Sequence, residues 1–417
     1  MGEKANTLLV SATPNYYFIE EFLALDDVVD MSSFNQSQYQ IEFKLFDETL
    51  LDDNNPLFQQ QNHDKTTFVI SNTATSAQLS FIAHQKEENA ILFHSKFKKS
   101  DKLELFNKIS QAFEKDGNKD YQVLRSGPVV QASLNISCQH MVSEFTHAEN
   151  WLQRLGRLDR FGEYNVVNTY VVAVPESIKA GKGNGGCARF LGRLFSFQSA
   201  KAWYEYLQAQ EVESKTLTIN QIYQLYQNFY KTSAGQEAVE QDLLAVLKKG
   251  AQIIDAKVHD PMSPPKKKTD KKKLKMKKSS LRGDSRFVNM AVCEINDLNA
   301  PKILNEYIAS NDNDQSGITE SLELIRNTGI IDYVAKKDSR INENTLIKGI
   351  PEKQMNKRKM LLEGAAVSPE NAIYLSYTPE DLAKIGESVP LGEAIYYAVC
   401  DKQAIGKLSL EQCMNFK

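Results

Sequence analysis

Between Thr66 and Val174, short apolar runs alternate with amphipathic stretches, and this alternation constrains the fold more than any other feature of the chain. Thr66–Ile70, Ala90–Phe93 and Tyr121–Leu124 read as buried strands, and Val166–Val174 as a later one. Thr75–Gln85 and Asp101–Phe113 read as helices, the second with Leu103, Phe106, Ile109 and Phe113 on one side. Apolar strands separated by helices imply an α/β fold, a parallel sheet covered on both faces. Ahead of this lobe, residues 21–65 are rich in Asp, Asn and Gln, with a strand at Tyr39–Phe46, and read as a crossover into it. Residues 7–13 (Thr-Leu-Leu-Val-Ser-Ala-Thr) read as a buried strand running into a polar turn. Small hydroxyls at a strand end are a usual place for site residues in such sheets.

Beyond the lobe the periodicity is helical from Arg189 to Gly250. Phe190, Leu194, Phe197, Trp203, Tyr206 and Leu207 mark a helix or a pair, and Ile222, Leu225, Tyr226 and Phe229 another. Ala238, Leu243, Leu244 and Leu247 mark a third. Residues 261–280 hold nine lysines and one aspartate, a net +8 that leaves −11 on the rest of a chain of net charge −3. Such a segment buries almost nothing and repels itself, so it reads as a disordered tether able to touch phosphates without sequence preference. A last domain, 281–417, carries helical patterns at Glu320–Arg326, Lys353–Leu362 and Pro379–Ile385, and a core-like run at Leu391–Val399.

Several functions are disfavoured outright. The five cysteines are scattered and never form a CxxC pair, which argues for free thiols in a reducing, cytoplasmic compartment and against a zinc site. His63-Asp64 and His259-Asp260 are lone dipeptides without the further ligands of a two-metal centre, so no metal site is expected. The glycine-rich stretch 179–186 has no Ser or Thr after Lys182 and is not a phosphate loop. No apolar run is long enough to span a bilayer.

The stretch Asn150–Arg160 carries the chemistry. As a helix it would place Gln153, Arg157 and Arg160 on one face and Trp151, Leu155 and Leu158 on another, with Gly156 admitting a neighbouring backbone. One amide and two guanidinium forks on a packed base suit the terminal phosphate of a nucleotide. Three loops follow strand ends in the lobe: Ser71-Asn72-Thr73, His94-Ser95-Lys96-Phe97, and Ser126 through Asn135. Ser71, Thr73, His94, Ser95, Ser126 and Ser133 are candidates for hydrogen bonds to a phosphodiester backbone. Ser71, Asn72 and Thr75 equally suit helix capping, and His94 equally suits a buried core histidine.

Residues Gln153–Arg160, Gln-Arg-x-Gly-Arg-x-x-Arg, resemble the last signature motif of the DExH-box helicases. Ser11-Ala12-Thr13 matches the third motif of that superfamily, at about its usual separation. Gln-Ala-Ser-Leu-Asn-Ile-Ser, from Gln131, resembles the Glu-x-Ser-Leu-Asp motif of the helicase-nuclease of type I CRISPR interference. Thr7–Val174 and the string Leu281–Cys293 are most similar to its I-F branch. Gln131 and Asn135 stand where acidic residues are common in the wider family, and Gly127 where a threonine is usual. A neutral amide binds a ribose hydroxyl but takes no proton, so only binding roles carry over there.

The resemblance implies an organisation: residues 1–20 end a first RecA-like lobe, and 37–178 form the second. Residues 179–258 are then a helical connector, 259–280 the lysine-rich linker, and 281–417 a mixed, mainly helical C-terminal domain. It gives Gln153, Arg157 and Arg160 catalytic contacts to ATP, Arg160 as arginine finger, with Asn135 also at the nucleotide. It likewise implies that Ser11 and Thr13 couple hydrolysis to strand movement. ATP and Mg2+ are held through a first lobe whose GxxxxGK(S/T) loop, DExH carboxylates and nuclease motif this chain lacks. The expected partners are single-stranded DNA, that N-terminal helicase/nuclease half and a Cascade-type CRISPR surveillance complex. The intact family protein translocates 3′-to-5′ on DNA and feeds a nuclease in antiviral defence; this chain alone is expected to be inactive. The rival reading is a non-catalytic module that binds DNA or protein and keeps the lobe as scaffold.

Overall fold

The structure, a computed structural model, describes residues 8, 10–23, 25, 29, 36–61, 64–84, 87, 89–131, 134–164, 166–181, 190–192, 194, 196–255, 286–290, 293–295, 373–377, 396–400 and 403–408. It divides into two compact units, residues 1–94 with 107–248, and residues 95–106 with 249–417.

The first unit is built on one sheet. Its strands are β1 (Gln38–Phe46), β2 (Thr67–Ile70), β3 (Ala90–Phe93), β4 (Val123–Ser126), β5 (His140–Glu144), β6 (Val167–Pro175) and β7 (Thr216–Thr218), in the order β3-β4-β2-β5-β6-β1-β7. Every pairing is parallel except that of the edge strand β7 with β1. Each side chain of β2, β3 and β4 is buried, which is why β2 and β3 read as short apolar runs rather than as alternating ones; in β4 the burial extends to the polar Arg125 and Ser126. Helices α1 (Tyr16–Phe22), α2 (Ala74–Ala83), α3 (Lys99–Phe113), α4 (Ala148–Leu155) and α5 (Glu176–Lys179) interleave with the strands. They are followed by α6 (Phe197–Ala209), α7 (Ile219–Phe229) and α8 (Ser233–Asp255). Phe46, Leu57, Phe58, Val69, Val142 and Ala173 form one core cluster, and the Phe113 ring meets Phe68 edge-on at 5.1 Å.

Four expectations change. Leu8 and Val10, placed in a buried strand, are 85% and 86% exposed and belong to no strand, because no neighbouring strand among the described residues offers them hydrogen bonds. On α3 the buried stripe is Leu105, Ile109, Ala112 and Phe113, and Leu103 faces solvent. On α8, Ala238 and Val239 are buried but Leu244 and Leu247 are exposed. The stretch read as wholly helical also contributes β7, which joins the lobe's own sheet.

Trp203 and Tyr204 of α6 and Tyr226 and Phe229 of α7 are core, while Phe197, Tyr206 and Tyr223 are half-buried. Trp203 packs on Trp151 at 5.6 Å and Phe229 at 5.1 Å, and Tyr16 of α1 meets Tyr226 and Tyr230, each at 6.1 Å. Ser196 makes no side-chain cap for α6; Asp242 of α8 does so instead, accepting from the Ser199 N–H at 2.8 Å and its hydroxyl at 2.7 Å. Burial raises the Asp242 carboxyl, and these hydrogen bonds oppose the rise.

In the second unit the described elements beyond α8 are strands: β8 (Arg286–Met290) pairs with β10 (Ile373–Tyr377), and β11 (Tyr396–Val399) lies between β9 (Cys293–Ile295) and β12 (Ala404–Leu408). The Tyr397 hydroxyl donates to Asp101 at 2.5 Å and accepts from the Lys98 N–H at 3.1 Å. The Lys407 N–H donates to the Lys96 carbonyl at 3.0 Å. Burial, then the charge of Lys407, pulls the Lys96 ammonium down to about 8. The helices expected at 320–326, 353–362 and 379–385 lie outside the described residues, as do the lysine-rich segment, His63 and His259-Asp260.

Candidate functional site

Helix α4 is seated by Trp151, Leu152 and Leu155, all buried, with the Trp151 ring 5.2 Å from that of Tyr170 on β6. This base leaves Gln153 half-exposed, and its Nε2 donates to Thr13 Oγ1 at 2.9 Å. Thr13 is itself tied to the Ser11 hydroxyl, which accepts its N–H at 3.1 Å. Two polar segments 140 residues apart therefore meet through side chains.

The expected single helical face is not what carries the arginines. Helix α4 ends at Leu155 with Gly156 as its C-cap, and Leu158 leaves to form a parallel bridge with Cys138. Asp159 then adopts a left-handed φ of +47°. Arg157 and Arg160 ride on this turn, because pairing with Cys138 outweighs the helical propensity of Arg and Leu. Nor does Gly156 admit a foreign backbone: an added Cβ would meet only carbonyls of its own helix, at 3.5 Å and beyond.

The two arginines differ. Arg157 is 7% exposed and donates to the carbonyls of Val130 at 3.3 Å and Gln131 at 2.9 Å. Burial, then the neighbouring charge of Arg160, brings its guanidinium down to about 10. Arg160 is exposed; its Nε donates to Asn135 Oδ1 at 2.7 Å and its Nη1 to the Gly156 carbonyl at 3.3 Å. Partial burial lowers its pKa, and nearby Tyr223 opposes this. Arg160 can exchange its exposed amide partner for a phosphate oxygen without leaving a buried group unpaired.

Arg154 is the residue that pattern reading passed over. It is 1% exposed and joins the end of β5 to two other segments, donating to Gln131 Oε1 at 3.0 Å, the Glu144 carbonyl at 2.8 Å and Asn72 Oδ1 at 2.8 Å. Its place three residues after Trp151 is the signal that it lies on the buried face. Asn72 completes the joint, its N–H donating to Glu144 Oε2 and its Nδ2 to the Phe145 carbonyl, both at 2.7 Å.

Of the side chains expected to meet a DNA backbone, Ser71, His94 and Ser126 are buried, which removes them from direct reach of a strand in this conformation. Ser126 donates to the Phe93 carbonyl at 2.6 Å, whereas the Ser71 hydroxyl has no hydrogen-bond partner among the described residues. Thr73 is the N-cap of α2, accepting from the Ser76 N–H at 3.0 Å. Ser95 is exposed, and Ser133 lies outside the described residues. Among the described residues no group of three His, Cys, Asp or Glu could hold a metal, and no helix is long and apolar enough to cross a membrane. Gln153 and Arg160 suit the γ-phosphate side of a nucleotide, and none of the described residues around them supplies a carboxylate cradle for its magnesium.

Residues 63–163 match the family model described as CRISPR-associated nuclease/helicase Cas3, C-terminal. A putative CRISPR-associated nuclease/helicase Cas3 of Methanocaldococcus jannaschii is 26% identical over 167 residues, which cover 37% of this chain and 23% of that protein. Two solved structures are similar at lower identity. T. fusca Cas3 is 20% identical with a TM-score of 0.41, over 54% of this chain and 28% of that one. T. fusca Cas3-ATP is 17% identical with a TM-score of 0.45, over 64% and 32%. The chain thus spans less than a third of the length of these relatives. The Gln153–Arg160 motif lies inside the matched segment, and over that segment the chain is similar to the C-terminal part of the CRISPR-associated nuclease/helicase Cas3 family.

Proposed function

We propose that this chain supplies the arginine side of an ATP-driven, 3′-to-5′ single-stranded DNA translocase of the type I-F branch, which feeds DNA to a nuclease in antiviral defence. The observation that carries this reading is the Gln153–Thr13 hydrogen bond beside an exposed Arg160, a polar link between the nucleotide-facing motif and the coupling motif. ATP and Mg2+ are held chiefly by a first lobe, with Gln153 and Arg160 completing the phosphate contacts. The domain division at 20, 37, 178, 258 and 280 belongs to this reading, as do cytoplasmic action and docking on a Cascade-type surveillance complex. The expected test result is polarity: with the first lobe supplied, a partial duplex with a 3′ overhang is unwound and one with a 5′ overhang is not. Unwinding from the 5′ overhang alone contradicts the assignment.

A scaffold reading draws support from the inward commitment of Arg157 and the burial of Ser71, His94 and Ser126. The lysine segment bears on both readings. Neutralising several lysines between Lys266 and Lys278 should weaken single-strand binding and reduce its salt slope by about 0.7 for each phosphate no longer neutralised. An unchanged slope reduces the segment to a spacer.

A further inference from the structure

Asp159 separates the arginines of the turn, and nothing in the motif pattern gives it a task. It is 1% exposed with a φ of +47°, a conformation that L-residues other than Asn and Asp rarely adopt. Its carboxylate is saturated from two directions. Oδ1 accepts the N–H of Glu163 at 2.9 Å and of Tyr164 at 3.3 Å, closing the turn that follows. Oδ2 accepts Asn168 Nδ2 at 3.2 Å and the Ser37 hydroxyl. Ser37 immediately precedes β1 and Asn168 lies on β6, and these two strands are paired with Gln38 opposite Val167. The Asp159 N–H adds a bond to the Cys138 carbonyl at 2.9 Å, and the Arg160 N–H one to Ser137 Oγ at 3.0 Å.

We propose that Asp159 is a positioning residue: its buried carboxylate latches the arginine-bearing turn to β1 and β6 and so fixes where Arg160 presents its guanidinium. A buried carboxylate is tolerable only with its hydrogen bonds made, so the turn has one stable seat and Arg160 leaves from a fixed base. Arg157, on the other side of the latch, is held by the Val130 and Gln131 carbonyls, whereas the exposed Arg160 guanidinium can exchange its Asn135 partner for another acceptor. A phosphate-binding fork that need not search for its position loses less entropy on reaching the transition state. This catalytic consequence rests on the function proposed above; the latch itself does not.

The experiment compares Asp159→Gly and Asp159→Asn in the full chain. Glycine adopts the left-handed conformation freely and removes the carboxylate, while Asn168 keeps the Gln38 carbonyl as a partner at 3.3 Å. Asparagine keeps the backbone preference and one acceptor oxygen. Hydrogen exchange of the amides of residues 157–164 should accelerate roughly tenfold or more in Asp159→Gly, about the equilibrium worth of one hydrogen bond to a carboxylate. Strands β2 and β5 should keep wild-type protection, and Asp159→Asn should fall between the two. Unchanged turn exchange overturns the latch, and equal acceleration throughout the sheet overturns it as a local device. With the first lobe added, kcat for ATP should fall on the order of 10²-fold in Asp159→Gly with KM nearly unchanged, and Asp159→Asn should recover part of it. A loosened turn with normal kcat overturns the positioning role. A wild-type mixture that hydrolyses nothing counts against the proposed function, whereas the exchange data still decide the latch.

Discussion

Replacing Arg160 with alanine should lower ATP turnover of the two-lobe assembly by about 10³-fold or more, the usual worth of an arginine finger, while leaving the fold almost unchanged. The separation of effects follows from its surroundings. Arg160 is exposed, and among the described residues its side chain bonds the exposed Asn135 amide and the Gly156 carbonyl, both of which water can satisfy. Lysine at this position keeps the charge but not the planar fork, and should recover little. Arg157 is a poorer probe, since its removal strands the Val130 and Gln131 carbonyls in a buried site. Steady-state phosphate release with saturating single-stranded DNA, beside a thermal melt, checks the prediction. A variant that unfolds, or that hydrolyses ATP at the wild-type rate, sinks the role.

The largest stability effect should come from a residue far from this chemistry. Arg125, at the end of β4, is fully buried and donates to Glu87 Oε1 at 3.1 Å, Ser80 Oγ at 2.6 Å, and the carbonyls of Leu57 at 3.1 Å and Gln59 at 3.0 Å. Burial lowers its pKa and Glu87 opposes the shift. The cluster fastens the loop through Pro56–Phe58 over β2 and α2, helped by a hydrogen bond between His84 Nε2 and the Phe58 carbonyl. Arg125→Met should cost about 3–5 kcal/mol, because it leaves the Glu87 carboxylate buried without its cation. Adding Glu87→Gln should return part of that loss. Denaturant unfolding followed through the buried Trp151 and Trp203 measures both. Equal losses in the single and double variants would show that the ion pair is not the source.

The lobe was legible because its signal is local. Buried parallel strands are short apolar runs, and β3 falls on the residues expected, with β1, β2 and β6 within one residue at either end. The third strand runs Val123–Ser126 rather than 121–124, since Arg125 and Ser126 are polar by composition and buried by partners distant in sequence. Strand β5 was missed for a similar reason: Ser143 and Glu144 interrupt its apolar run, yet both are buried at the Arg154 joint. Helix α4 was legible in its apolar base, begins two residues before the expected Asn150, and was not legible in its end, because the bridge of Leu158 to Cys138 is a tertiary contact. The meeting of Gln153 with Thr13 was legible as two motifs. Arg154, Arg125 and Asp159 were not, because each takes its meaning from residues on other strands and loops.

The most direct test of the account is phosphate release by the purified chain with single-stranded DNA, measured first alone and then with a separately expressed first lobe carrying its nuclease domain. Charge on a transferred phosphoryl group is stabilised from opposite sides of a cleft, and the function proposed above gives this chain the arginine side. Without a phosphate-loop lysine or a magnesium anchor, Gln153 and Arg160 should hold ATP in the millimolar range or worse, about −4 kcal/mol. The account predicts no hydrolysis by the chain alone and DNA-stimulated hydrolysis once the first lobe is added. Robust hydrolysis by the chain alone, or none in the mixture when both halves are folded, would contradict it.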